Sequence, residues 1–324
     1  MAKIRRSDLA PQEPPAAPHA ALYDQDNDTD FAPTAPAAPE KKRGSLAYTL
    51  AMLFFGVVFL VSAGLLVKRF ADDRRTENEF AELQSMIDTA AAPQPSGESV
   101  NPNGAKFSAL RDKNSDFIGW LSIDGTELDF PVMYAPNNKD FYLRHDFDKS
   151  YSVYGVPYLD ENTTLGANAE SDNLVIYGHN MKNGSMFKDI NRYKDPEYFK
   201  EHQYFSIYTP EREIRLKAVS CYYGEAKPIV RMTGFKTQET FDEFVRTMVE
   251  PCSYKEEVEY PARSIFTLVT CSYEINDART FLFAVEVDEE GDQIPMDEEY
   301  KEKMETVLEK KLKASENISD ENGK

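Results

Sequence analysis

Cysteine is scarce in this chain. There are three in 324 residues, at Cys221, Cys252 and Cys271. Three cannot make the framework of a disulfide-stapled domain. No C-x-x-C or paired-histidine spacing exists to complete a four-ligand zinc site, and no glycine-rich phosphate loop is present. Basic charge is also in deficit, with 37 Lys and Arg against 56 Asp and Glu, a formal net charge of -19. The first 45 residues hold six basic and seven acidic side chains, so nearly all of that excess falls beyond residue 67. An acidic domain of this kind repels phosphate backbones, which argues against nucleic acid as a partner. Cys221 and Cys252 read as small buried hydrophobes. Spacing alone does not fix whether they pair.

Long apolar runs are equally rare, and the single one is decisive for organisation. Leu46 to Val67, "LAYTLAMLFFGVVFLVSAGLLV", carries no charge over 22 residues. A helix rising about 1.5 Å per residue crosses a hydrocarbon core of about 30 Å in about 20 residues. A cleaved leader would have a shorter apolar region, nearer the start and followed by a small-residue cleavage site, so the run reads as an uncleaved transmembrane anchor. Its flanking charges do not fix an orientation, because Lys41, Lys42 and Arg43 on one side are matched by Lys68, Arg69, Arg74 and Arg75 on the other.

Residues 1–45, rich in Pro, Ala and Asp, bury too little apolar surface to fold and read as a disordered tail. Residues 68–106 read as a juxtamembrane helix and a linker. Phe80, Leu83, Met86 and Ile87 fall at helical spacing, and "APQPSGESVNPNG", Ala92 to Gly104, is linker-like in composition. The folded domain is expected from about Phe107 to residue 290. It opens on a hairpin around Asp124-Gly125. Further strands are expected at "NLVIYG", "YFSIYT", "EIRLKAVSCYY", "SIFTLVTC" and "TFLFAVEV". Helical patterns lie at Met186 to Tyr193 and Thr237 to Met248. Many strands with few helices predict a mainly β barrel or sandwich. Residues 291–324 form an acidic C-terminal helix and tail, with Tyr300, Met304, Val307, Leu308 and Leu312 in register.

Four histidines and three cysteines limit the chemistry. His19 lies in the tail, His202 in the charged "KEHQY" reads as a solvated surface residue, and His145 in "YLRHDFD" reads as a polar residue near a turn. His179 follows the apolar strand of "LVIYGHNM", directly behind a glycine. Cys271 ends the strand of "TLVTCSYEINDAR", and Arg279, eight residues on, is the last arginine of the chain. A thiolate is a strong nucleophile once a neighbouring imidazolium stabilises it. A histidine can shuttle the proton, and an arginine fork suits a developing oxyanion. On residue type alone, Cys271 is as readily a core thiol as a nucleophile. A papain-like order, cysteine before histidine, does not fit.

The combination resembles a known family. "TLVTC" is similar to the TLxTC signature of sortases, the membrane-anchored cysteine transpeptidases of Gram-positive bacteria. "VIYGHNM" resembles their histidine motif, and an arginine on the strand after the cysteine completes the set. "DFIGWLSIDGTELDFPVMY", "DFYLRHDF", "GVPYLDE" and "GHNMKNGSMF" are closest to class B. The resemblance implies an eight-stranded β-barrel with short flanking helices, preceded by the anchor. It implies Cys271 as nucleophile, His179 as general acid/base, Arg279 as the oxyanion and substrate-positioning residue, and Thr270 as a contributor to the oxyanion region. Some class B members have a serine two positions before the cysteine, where this chain has Val269. Glu274 and Asp277, in the following loop, are candidates for substrate contact. The resemblance implies no cofactor and no metal.

The implied reaction is a two-step acyl transfer. Cys271 cleaves a sorting signal of the LPxTG or NPxTN kind at its threonine in a secreted protein. The thioacyl-enzyme then passes the protein to an amino group of the cell wall or of a pilin. Such a domain faces the wall, which places the tail in the cytoplasm and the barrel outside the cell membrane. Two other readings stand beside it. One is a catalytically silent membrane-anchored scaffold, and the other is a plain cysteine protease. The exact motif, the acceptor and the oligomeric state are not readable from sequence.

Overall fold

The computed structural model describes residues 46–90, 102–165, 171–225, 228–252, 254–271, 278–302 and 306. The expected tail, most of the expected linker, the 272–277 loop and the end of the expected C-terminal helix lie outside them. The chain divides into two units, residues 1–63 and 64–324.

Eight strands close into a barrel in the order β1-β2-β3-β4-β7-β8-β6-β5. They are β1 (Phe117–Ser122), β2 (Asp129–Met133), β3 (Tyr158–Leu159), β4 (Asn173–Tyr177), β5 (Tyr204–Tyr208), β6 (Glu213–Glu225), β7 (Ile265–Cys271) and β8 (Ala278–Glu286). Side-chain alternation divides β7 and β8 between two cores. Phe266, Leu268, Leu282 and Ala284 join the cluster that contains Leu121, Val132, Ile176 and Leu216. Ile265, Val269, Phe281, Phe283 and Val285 join the cluster with helix α4 (Gln238–Val249). Strands buried on both faces lose the polar alternation of a half-exposed sheet, which is why "IFTLVT" and "TFLFAV" read as continuous apolar runs.

β6 changes phase along its length. Ile214, Leu216 and Ala218 face the first core, and the register then shifts between Ala218 and Ser220. Val219, the extra residue of this bulge, packs in the cluster with α4, and beyond it Cys221 turns to the first core. In α4 the expected stripe of Phe241, Phe244, Val245 and Met248 is buried. Thr237 caps the helix through a reciprocal contact with Thr240.

Helix α1 runs unbroken from Leu46 to Ala90. The sequence between the apolar run and the amphipathic segment, "KRFADDRRT", contains no Pro or Gly to interrupt it. Among the described residues it is the one helix long and apolar enough to cross a membrane. Its C-terminal part docks on the barrel. Leu83 is fully buried, and Phe80, Met86 and Ile87 pack against the cluster containing Phe117, Trp120, Met133 and Phe147. Helix α2 (Pro102–Lys113) begins inside the segment expected to be linker. Proline is favourable in a first helical turn, and Phe107 and Leu110 are drawn into the same cluster.

His202 departs from the surface reading. It is buried at the end of helix α3 (Pro196–Glu201), with its ring against Tyr198 and Nδ1 3.0 Å from the Asp124 carbonyl. The residue ties α3 to the β1–β2 turn, a tertiary partner that the charged "KEHQY" does not reveal. Residues 298–302 are helical, and Tyr300 is buried beneath the Arg263 guanidinium at 4.3 Å.

Candidate active site

Cys271 is the last residue of β7 and Arg279 the second of β8, and the two are direct partners in the antiparallel register. Directly opposed residues present their side chains on the same face. Two residues before Cys271 stands Val269, and two after Arg279 stands Phe281, both in the cluster with α4. The cysteine and the arginine therefore continue that face at the end of the strand pair. Both are partly exposed.

His179 arrives from β4, the parallel neighbour of β7. β4 ends at Tyr177, yet the two chains stay joined beyond it. The Gly178 amide donates to the Val269 carbonyl at 3.0 Å, and Thr270 Oγ1 donates to the Gly178 carbonyl at 2.8 Å. Asn180 Nδ2 then donates to the Cys271 carbonyl at 2.7 Å. These bonds bracket His179 between two residues tied to 269–271. Glycine precedes it for a steric reason: a Cβ on residue 178 would lie 2.4 Å from Cγ of the buried Phe187 ring.

The histidine is oriented by backbone. Its Nε2 lies 2.8 Å from the Leu143 carbonyl. A carbonyl only accepts, so Nε2–H is the donor, and Nδ1 is the basic nitrogen of the neutral ring. Burial lowers the histidine pKa below its ordinary value. The bond to Leu143 opposes that shift, and the nearby Arg144 charge adds to it.

Cys271 differs from the other two cysteines in its surroundings. Burial pushes the Cys221 thiol up to about 12 and also raises that of Cys252. All three are free thiols, so Cys221 and Cys252 are unpaired with each other.

Asn180, Asn191 and Thr280 were not singled out as site residues from the sequence. Besides Asn180, Asn191 Nδ2 reaches the Cys271 carbonyl at 3.4 Å, and Asn191 Oδ1 accepts from the buried Thr280 hydroxyl at 2.6 Å. The Cys271 backbone is thus held from two directions. Asn180 could have been suspected only because it follows His179, and Asn191 from nothing local. Glu274 and Asp277 lie outside the described residues. Among the described residues, no three or more His, Cys, Asp or Glu side chains are grouped to hold a metal ion.

No protein-family model matches the chain. Among known proteins, sortase B of Listeria monocytogenes is 28% identical over 239 residues, covering 72% of this chain and 93% of that protein. The solved structure of Clostridium perfringens sortase B is 30% identical, with a TM-score of 0.52, covering 56% of this chain and 98% of that one. The chain belongs to the sortase B family. A Staphylococcus aureus sortase B–substrate complex, 22% identical, shares the fold with a TM-score of 0.60 over 68% of this chain and 99% of that one. Sortases of this class are cysteine transpeptidases, and this chain is one. The eight-stranded barrel is the fold that the motifs implied.

Proposed function

We propose that Cys271 is the nucleophile of this transpeptidase, His179 its general acid/base and Arg279 its oxyanion donor, with Thr270 fixing the histidine strand to the cysteine strand. The observation that carries this reading is the shared register of Cys271 with Arg279, together with the three hydrogen bonds that bracket His179 beside them. In the first step the Cys271 sulfur bonds the threonine carbonyl carbon of a sorting signal while His179 takes the thiol proton. The peptide C–N bond breaks, and the departing amine receives that proton. In the second step an acceptor amine gives a proton to His179 and bonds the same carbon. The C–S bond breaks, and Cys271 recovers the proton. Arg279 offers a planar fork to the oxyanion in both steps.

The substrate is a secreted protein with an LPxTG- or NPxTN-like signal, and the acceptor an amino group of the wall or of a pilin. Residues 1–45 form the cytoplasmic tail, 46–67 the anchor, 107–290 the catalytic domain and 291–324 the C-terminal helix and tail. Anchoring confines enzyme and exported substrate to one plane and raises their effective concentration.

A panel of fluorogenic sorting peptides, assayed with and without triglycine, tests the reading. Cleavage is expected for at least one peptide, with a thioacyl adduct on Cys271 visible by mass spectrometry. Added amine is expected to yield the transpeptidation product, and Cys271→Ala to abolish both. Cleavage of every active peptide without amine incorporation would instead identify a plain protease. Silence across the panel would favour a scaffold.

A further inference from the structure

Cys271 and Arg279 share one face of the β7–β8 pair, and the opposite face, behind them, is polar where a barrel interior is usually apolar. Thr270 and Thr280 are direct register partners one step in from Cys271 and Arg279. By strand alternation they share the face of Leu268 and Leu282, which belongs to the first core. Both are buried. The short 3-10 helix Phe187–Lys194 contributes Phe187, Ile190 and Tyr193 to that core. It also supplies Asn191. Asn191 Oδ1 accepts from the Thr280 hydroxyl at 2.6 Å, and its Nδ2 reaches the Cys271 carbonyl at 3.4 Å, where Asn180 Nδ2 donates at 2.7 Å. The Phe187 amide, at the start of the same helix, donates to the His179 carbonyl at 2.8 Å. One short element is thus bonded to the segments of Cys271, Arg279 and His179. Burying polar groups costs stability unless they are paired, so a barrel end that had only to be filled would be better served by apolar side chains.

We infer that Asn191, with Thr280, is a positioning residue for both steps of acyl transfer, locking the Cys271 backbone to the strand of Arg279 from behind the reacting face. The inference rests on the transpeptidase reading of Cys271, His179 and Arg279. Cys271 ends its strand, so its carbonyl needs a partner that the ladder does not extend to give. Holding that carbonyl restricts rotation of the Cys271 backbone, and with it the direction in which the sulfur points. The Thr280 hydroxyl ties the same amide group to the residue that follows Arg279. Slippage of one strand end against the other would separate the sulfur from the guanidinium, and a misplacement of about 1 Å can cost about a hundredfold in rate. Asn191 and Thr280 act through the backbone, from the far face. The same sulfur and guanidinium serve both steps, so thioacyl formation and aminolysis depend on the clamp alike, whereas binding of the sorting peptide depends on it little.

The test uses the full chain in detergent micelles, a sorting peptide that the wild type cleaves, and triglycine as acceptor. Asn191→Leu is close in size and removes both hydrogen bonds. It is expected to lower the limiting rates of Cys271 thioacyl formation and of aminolysis about 10- to 100-fold, while the peptide concentration for half-saturation moves less than about twofold. Thr280→Ser keeps the hydroxyl and is expected to retain most of the rate, with Thr280→Val falling between the two. The double variant Asn191→Leu/Thr280→Val separates position from stability, because replacing both partners of a buried bond by apolar groups of similar shape is nearly neutral for stability. Its Tm is expected to recover toward wild type while its rate stays low. A rate that recovers together with Tm overturns the inference and marks the pair as merely structural. So does a wild-type rate in Asn191→Leu, or a rise in its half-saturating concentration as large as its fall in rate. Should the double variant melt low, the split between rate and half-saturation in Asn191→Leu decides by itself. Absence of any thioacyl adduct in the wild type would overturn the underlying reading and this inference together.

Discussion

Gly178 shows how a single position sets the geometry of the site. The next residue must turn its imidazole toward the Leu143 carbonyl while the chain stays bonded to β7 on both sides. The buried Phe187 ring fills the volume that a side chain at 178 would need. Overfilling a packed site costs about 1–3 kcal/mol, and a displacement of about 1 Å in a catalytic group can cost about a hundredfold in rate. Gly178→Ala is therefore expected to lower kcat/KM for a sorting peptide about 10- to 100-fold and to lower Tm by several degrees. A variant with unchanged Tm and full activity would show that Phe187 yields freely. The three cysteines make the complementary point. Burial raises the thiols of Cys221 and Cys252, which disfavours their thiolates, whereas Cys271 stands at a strand end opposite an arginine.

The docking of α1 onto the barrel combines an apolar stripe with a charged seam. The Phe147 amide donates to Glu79 Oε1 at 3.0 Å, Arg75 pairs with Asp146 at 3.5 Å, and Lys113 lies 3.1 Å from Asp148 and 3.8 Å from Glu82. Burial, with the Asp146 and Asp148 charges, raises the Glu79 pKa to about 7, against the opposing pull of the Phe147 amide and Lys113. The folded protein then holds this proton to higher pH than the unfolded chain does. Its stabilising effect is full below about pH 4.5 and is lost as pH rises through about 7. Thermal unfolding followed from pH 4.5 to 8 is expected to show this decline, and Glu79→Gln to flatten it. At pH 8 the variant is expected to be more stable by about 1 kcal/mol, allowing for solvent screening of a half-exposed carboxyl. An identical pH slope in the variant would assign the titration elsewhere. The apolar half of this docking was readable in advance, since Phe80, Leu83, Met86 and Ile87 repeat at helical spacing. The seam was not, because its partners are about 30 to 70 residues apart in sequence. The same distinction holds elsewhere. Periodicity and apolar runs marked β4 to β8 and α4. The two-residue β3 is too short to show alternation, and Asn191 and His202 owe their places to tertiary partners alone.

Within residues 64–324, the C-terminal part of helix α1 packs on the barrel. Leu83 is wholly buried, and Phe80 meets Phe130 edge-to-face at 4.9 Å. Full burial of one such apolar side chain is worth about 1.5–3 kcal/mol, and Met86 and Ile87 add partial burial. In a domain of this size each kcal/mol shifts Tm by about 2–4 °C. A chain beginning at residue 102 is therefore expected to melt at least about 5 °C below one beginning at residue 64. It should also bind a hydrophobic dye more strongly, because Phe117, Trp120, Phe130 and Phe147 lose their cover. Equal melting temperatures and equal dye binding would show that the segment from 64 to 90 rests on the barrel without stabilising it. Comparison of the same two chains extends to function. The shorter one keeps Cys271, His179 and Arg279 in the same strand register, so it is expected to form the thioacyl-enzyme at near the longer chain's rate. A marked loss of thioacyl formation would mean that helix removal disturbs the barrel rim itself.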